Sequence, residues 1–198
     1  MRLKSWVALA LVMVCTSLFA QTEQHKMSPE EQKAMDAWQK FMTPGDAHKS
    51  LNALVGTFDA KVSMWPQPGV PAQVSTATSV SNWVLGNRYV EENVNGSFMG
   101  MPFQGIGYTG YDNGKKQYVG TWIDNFGTGV MTSTGTSADN GKTYTFTSNT
   151  TDPMTGKDMP GSSKMTVTDA DHHTLEMWAP SPDGKMFKMM QIDYSRKK

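Results

Sequence analysis

From Thr57 to the C-terminus the chain repeats one grammar, which constrains its fold more than any other feature. Short runs rich in Thr, Val, Tyr, Phe and Trp are broken at near-regular intervals by Gly, Asn, Asp and Pro. Runs of this kind read as β-strands separated by turns. Strands are predicted near Thr57–Trp65, Val74–Leu85, Arg88–Asn95, Phe103–Tyr111, Gln117–Asp124, Gly127–Ser137, Thr143–Thr150, Lys164–Thr168, Thr174–Ala179 and Phe187–Ser195. Asp112-Asn113-Gly114-Lys115, Asp139-Asn140-Gly141-Lys142 and Pro182-Asp183-Gly184-Lys185 each offer the Asn-Gly or Asp-Gly step that tight hairpins favour, so sequential antiparallel pairing follows. These turns lack the dense oxygen ligands and downstream Glu of a calcium loop. No strand carries the Pro and Lys protection expected of a long exposed edge, and closure removes both edges. The predicted fold is all-β, an up-and-down antiparallel barrel of about ten strands with a short N-terminal helical segment. Glycines 105, 107, 110, 120, 127, 129 and 135 fall inside the predicted strands, where glycine weakens the ladder unless it serves curvature or close approach, and they read as barrel bends.

Three segments are expected. Residues 1–20 read as a cleaved signal peptide: Arg2 and Lys4 precede an apolar stretch from Trp6 to Phe19, with cleavage after Ala20. That stretch is too short to span a bilayer, so periplasmic or secreted protein without stable membrane insertion is the expectation. Cys15 raises a lipoprotein alternative, but Val14 stands where lipoprotein processing wants a small residue. Cys15 is the sole cysteine, so a cleaved chain has no thiol chemistry. Residues 21–56 form the helical segment. Ser28-Pro29-Glu30-Glu31 is a capping box with proline at the first helical position, and Ala34, Met35, Trp38, Phe41 and Met42 recur at helical spacing. A second turn runs from His48 to Val55. These helices are expected to pack outside the barrel or across its mouth. Residues 57–198 form the barrel. Eighteen basic residues balance eighteen acidic ones, and loss of Arg2 and Lys4 leaves a slight acidic excess, so no polycation is available for nucleic acid.

A family resemblance rests on particular text. Leu51-Asn52-Ala53-Leu54-Val55-Gly56-Thr57-Phe58, Leu85-Gly86-Asn87-Arg88-Tyr89-Val90, Gly100-Met101-Pro102-Phe103-Gln104-Gly105, Gly107-Tyr108-Thr109-Gly110-Tyr111-Asp112-Asn113 and Thr121-Trp122-Ile123-Asp124 resemble the DUF1579 family of uncharacterised bacterial proteins. The likeness runs from about His48 to Arg196. It implies a calycin-like barrel, distantly similar to lipocalins, fatty-acid-binding proteins and the nitrobindin haem proteins. Phe58 stands where the first-strand Gly-x-Trp signature of such barrels has Trp. The nitrobindin haem ligand is a histidine on the final strand; here that strand reads Phe187-Lys188-Met189-Met190-Gln191-Ile192-Asp193-Tyr194. Histidine-ligated haem is disfavoured, with Met189 or Met190 the remaining ligands.

No nucleophile elbow, His-Glu-x-x-His or phosphate-cradling loop is present. The four histidines, His25, His48, His172 and His173, are read outside the strands. Sixteen methionines make Cu(I) conceivable, but they are scattered over many strands and read as adaptable filler of a core or pocket. Glu91, Glu92, Asp124, Glu176 and Asp193 are candidate acid and base partners if they face inward, and otherwise solvent-facing strand residues. The expected function is non-catalytic binding of a small apolar or amphiphilic molecule, without cofactor, by Arg88, Tyr108, Trp122, Asp124, Trp178 and Met189. In this reading Arg88 holds an anionic head group and the aromatics cover its tail. A barrel enzyme and a filled structural barrel are the alternatives.

Overall fold

The computed structural model describes residues 27–152 and 155–198; the expected leader lies outside them. Helix α1 (Pro29–Met42) starts at the expected capping box: Glu31 N–H donates to Ser28 Oγ at 3.2 Å, and Ser28 N–H to Glu31 Oε2 at 2.7 Å. Helix α2 (Asp46–Lys49) and a 3-10 helix (Ser50–Leu54) follow. Ten strands come next: β1 (Gly56–Met64), β2 (Gln73–Val84), β3 (Tyr89–Phe98), β4 (Met101–Asp112), β5 (Gln117–Asp124), β6 (Met131–Thr136), β7 (Thr143–Thr151), β8 (Asp158–Val167), β9 (His172–Pro180) and β10 (Met186–Arg196). Each pairs antiparallel with its sequence neighbours, and β10 pairs with β1 to close the barrel. The three expected Asn-Gly and Asp-Gly turns join β4 to β5, β6 to β7 and β9 to β10.

Several strand boundaries differ from the sequence reading. Gly127 and Gly129 lie in the loop before β6, which begins only at Met131. Strand β8 begins at Asp158, six residues before the predicted Lys164, because Pro160 and Gly161 read as a turn yet pair with Asn149 and Ser148 of β7. His172 and His173, read as a turn, open β9.

Period-two alternation and the cross-strand register fix which side chains face inward. Phe58, Ala60, Ser79, Val90, Tyr118, Tyr144, Phe146, His173 and Tyr194 are buried and lie on the inner face. Most of them sit at one end, where the chain plugs the barrel. Leu51 and Leu54 of the 3-10 helix are buried against Val90, Tyr118, Tyr144 and Phe146. Ser50 bonds the barrel floor through Tyr118 (2.9 Å) and Tyr144 (3.0 Å), and Trp83 Nε1–H donates to Asn52 at 2.7 Å. Only glycine fits at Gly141, whose φ is +89° and whose added Cβ would stand 2.5 Å from that of Ser50.

Helix α1 is attached differently. None of its residues is buried, and Met35, Trp38, Phe41 and Met42 are each about half exposed. It meets the barrel at its C-terminal end, outside the plugged end. There the Asn113 amide donates to the carbonyls of Lys40, Phe41 and Thr43, and Arg88 to that of Met42.

Candidate functional site

The opposite end of the barrel differs in packing. Inward positions there carry Val62, Met64, Phe103, Trp122, Asp124, Met131, Ser133, Ser148, Ser163, Met177, Met190 and Ile192, and every one remains partly exposed. In β4 to β7 their outward neighbours are exposed, so the alternation is intact. Single inward residues such as Met165 and Val167 are partly exposed in the plugged end too, but here partial exposure runs over adjacent inward positions of β5, β6 and β7, which is how side chains lining unfilled space behave. Small residues make the space: Gly120, Ser133, Ser148 and Gly161 form one row across β5, β6, β7 and β8. A cavity of about 400 Å3 opens at the rim of β1, β2 and β3, beside Val62, Met64, Ser75, Thr76, Ser97 and Phe98; it takes in residues of both strand faces, and Glu92 and Trp122 do not line it. It is within the size range of small-molecule sites.

One wall of the lumen is aromatic and acidic. Glu92, Gly107 and Trp122 are lateral neighbours on β3, β4 and β5. The Trp122 ring lies flat on the wall: a Cβ on Gly105 would come within 2.3 Å of it and one on Gly107 within 2.9 Å. These two glycines thus serve close approach, as covered ladder positions rather than bends. Phe103 stacks beside the indole, with centroids 6.4 Å apart and planes at 16°. Trp122 Nε1–H donates to Asp124 Oδ2 at 2.8 Å, and Phe126 N–H to Asp124 Oδ1 at 2.9 Å.

Glu92 stands deeper. Its carboxyl accepts from Ser79 Oγ at 2.7 Å and from the Tyr194 hydroxyl. Burial pushes the Glu92 carboxyl up, and the two hydroxyl donors pull the other way without cancelling it. Burial, with Glu92 beside it, holds the Tyr194 phenol well above its usual value, so it remains a donor. Below them His173 stacks on Tyr194, with centroids 4.2 Å apart, and meets the edge of Phe58. Burial, aided by nearby Arg196, lowers His173 to about 4, so it is neutral at pH 7.

The six expected site residues divide. Trp122 and Asp124 face the lumen and are joined by a hydrogen bond. Arg88 does not face it: it is exposed in the β2–β3 turn, where it binds the carbonyls of Leu85, Gly86 and Met42. The turn holds it outside because β3 starts only at Tyr89. Tyr108 lies on the outer face and donates to Glu91 at 2.7 Å. Trp178 also faces outward, opposite Ser162 and Lys188. Met189 falls in a β-bulge between Lys188 and Met190, which resets the parity and leaves Met190 inward. Of the five carboxylates considered, Glu92 and Asp124 face inward; Glu91, Glu176 and Asp193 pair with neighbours outside.

The ligand set expected from sequence omits Ser79, Tyr194 and Glu92, the last considered only as an acid or base partner, and His173, read in a turn, is a core residue. Parity offered a signal for Glu92, which shares its strand face with Val90 and Val94. The methionines, scattered in sequence, are partly gathered in space. Met64, Met190 and Met177 are adjacent in register on β1, β10 and β9, and all three face inward. Among the described residues no three His, Cys, Asp or Glu side chains converge on one point.

The fold defines the class: a closed ten-stranded antiparallel barrel, plugged at one end by the segment that precedes its first strand. The chain belongs to the DUF1579 family, described as proteins of unknown function, whose model matches residues 43–196. No curated protein matches the sequence. Among solved structures the chain is similar in fold to Rv2717c from M. tuberculosis, with 12% identity and a TM-score of 0.59 over 79% of this chain and all of that one. A redesigned β-barrel matches at 13% identity and a TM-score of 0.41, over 75% of this chain and 96% of that one.

Proposed function

We propose that this protein is an exported binder of a small apolar or amphiphilic molecule, held without covalent change in the open half of the barrel. One observation carries the reading: inward side chains of the open half stay partly exposed, although their parity puts them inside a closed barrel. Their composition suits an amphiphile. Phe103, Trp122, Met131, Met177, Met190 and Ile192 supply apolar surface, and Glu92, Asp124 and three serines supply polar points. Methionine makes such a wall adaptable to more than one shape. Export is proposed from residues 1–20 alone, whose charge, apolar run and Ala20 fit a cleaved leader. In the described residues, no helix is long and apolar enough to cross a membrane.

The test is titration of the purified protein with the neutral fluorophore N-phenyl-1-naphthylamine, together with native mass spectrometry of protein from its own host. The reading expects saturable, one-to-one probe binding and a co-purified small molecule. Absence of both would leave a filled structural barrel as the better account. Intact mass checks export: the mature protein should begin at Gln21 in the soluble envelope fraction, and a soluble cytoplasmic product retaining residues 1–20 would refute it.

A further inference from the structure

The inference rests on the lumen reading above and concerns the charge of what the lumen takes. We infer that its ligand carries a positively charged nitrogen, seated between the Glu92 carboxyl and the free face of the Trp122 indole.

Charge comes first. Among the described residues, the strand positions facing the open half include Glu92 and Asp124 but no lysine or arginine. Lys164 and Lys188 are on the outer face, paired with Glu176, and Arg88 is in a turn. Arg196 lies at the plugged end, held by Asp171, by the carbonyls of Val55 and Ala170, and over the Phe58 ring. An anionic head group would therefore enter a lumen with two carboxyls and no cation to meet it. That reverses the expectation built on Arg88.

Geometry comes second. The indole of Trp122 lies with one face on Gly105 and Gly107, which turns its other face to the lumen and accounts for its partial exposure. Trp has the most attractive ring face for a cation. Gly107 is the direct lateral neighbour of Glu92, so the carboxyl stands beside the strand position that the ring covers. Burial disfavours charge on Glu92 in the empty barrel, but a cation seated beside it favours the ionised form, whose carboxylate offers about four lone-pair positions. Ser79 and Tyr194 take two at Glu92, leaving capacity toward the lumen. Asp124 is already committed, one oxygen to Trp122 and the other to Phe126, so it fixes the indole and adds negative field. An aromatic face and a carboxylate on laterally neighbouring inner positions are the kind of pair that recognises amines and quaternary ammonium groups. The methionine-lined wall then takes the alkyl part.

The experiment is displacement of N-phenyl-1-naphthylamine at pH 7 by three chains of equal length: decyltrimethylammonium, decanol and decanoate. Decyltrimethylammonium is expected to displace the probe at roughly tenfold or more lower concentration than decanoate, with decanol between. Glu92→Gln should erase most of that difference while leaving decanol unchanged. Trp122→Leu should weaken the ammonium more than the alcohol. Decanoate binding as tightly as the ammonium would overturn the inference while the lumen reading stands. Failure of the probe and all three chains to bind wild type would overturn both. Because the wild-type comparison decides the sign of the preference, a variant that does not fold leaves the test intact.

Discussion

At the residue scale His173 and Glu92, two titratable groups of the barrel interior, have opposite effects on stability. The folded state depresses His173 from 6.5 to about 4. Between those values the unfolded chain binds more protons, so this contribution is fully present above about pH 6.5 and is lost as pH falls toward 4. Glu92 is raised by burial, so its contribution runs the other way and is lost as pH rises through its folded value. The two overlap in mildly acidic solution and partly mask each other in the wild type. Removing His173 separates them. From pH 7 to pH 5 its contribution should fall by about 2 kcal/mol. Denaturant unfolding of wild type and His173→Phe at both values should give a loss on acidification that is smaller in the variant by about that amount. Equal losses would mean that His173 takes up its proton without unfolding.

At the element scale the plug and α1 differ in kind. Leu51 is fully buried between the plug and the barrel floor, so Leu51→Ala should cost about 2–5 kcal/mol in denaturant unfolding. Helix α1 is held through backbone carbonyls at its C-terminal end and buries none of its own residues. Asn113→Ala or Arg88→Met should therefore speed proteolytic cleavage within residues 29–42 and leave barrel unfolding within about 1 kcal/mol of wild type. Loss of probe binding in Arg88→Met with an intact α1 would instead return Arg88 to the ligand site. The elements were largely legible in sequence, because hairpin turns and alternation are local signals: Asn113-Gly114 and Asp183-Gly184 marked two turns directly. The start of β8 was not legible, since Pro160 and Gly161 are turn residues locally and only pairing with β7 makes them strand. The site was half legible. Trp122 and Asp124 share a parity that sequence shows, whereas Met189 was displaced from its expected face by a bulge that no local signal announces. Arg88 was misplaced by one residue of strand boundary, enough to move a cation from the lumen to a turn.

At the scale of the whole molecule, ligand binding requires ten strands to enclose more space than their side chains fill. The row Gly120, Ser133, Ser148 and Gly161 decides it, because it is the longest stretch of inner wall with nothing larger than a hydroxymethyl group. If side chains from across the barrel already occupied the space over that row, a large residue there would be overpacked. Overpacking a filled core costs about 1–3 kcal/mol. If the lumen is open, phenylalanine at Ser148 projects into solvent-filled space, and its high strand propensity offsets the lost hydroxyl. Ser148→Phe is therefore expected to unfold within about 1 kcal/mol of wild type while cutting N-phenyl-1-naphthylamine affinity by roughly tenfold or more, since the ring takes the volume that the probe needs. The same substitution on the outer face, Thr147→Phe, controls for the added ring: Thr147 is exposed, so it should change neither stability nor binding appreciably. A strong destabilisation by Ser148→Phe, with Thr147→Phe neutral, would mean the barrel is packed solid at this level. Equal probe affinity in all three proteins would place the bound probe outside the lumen.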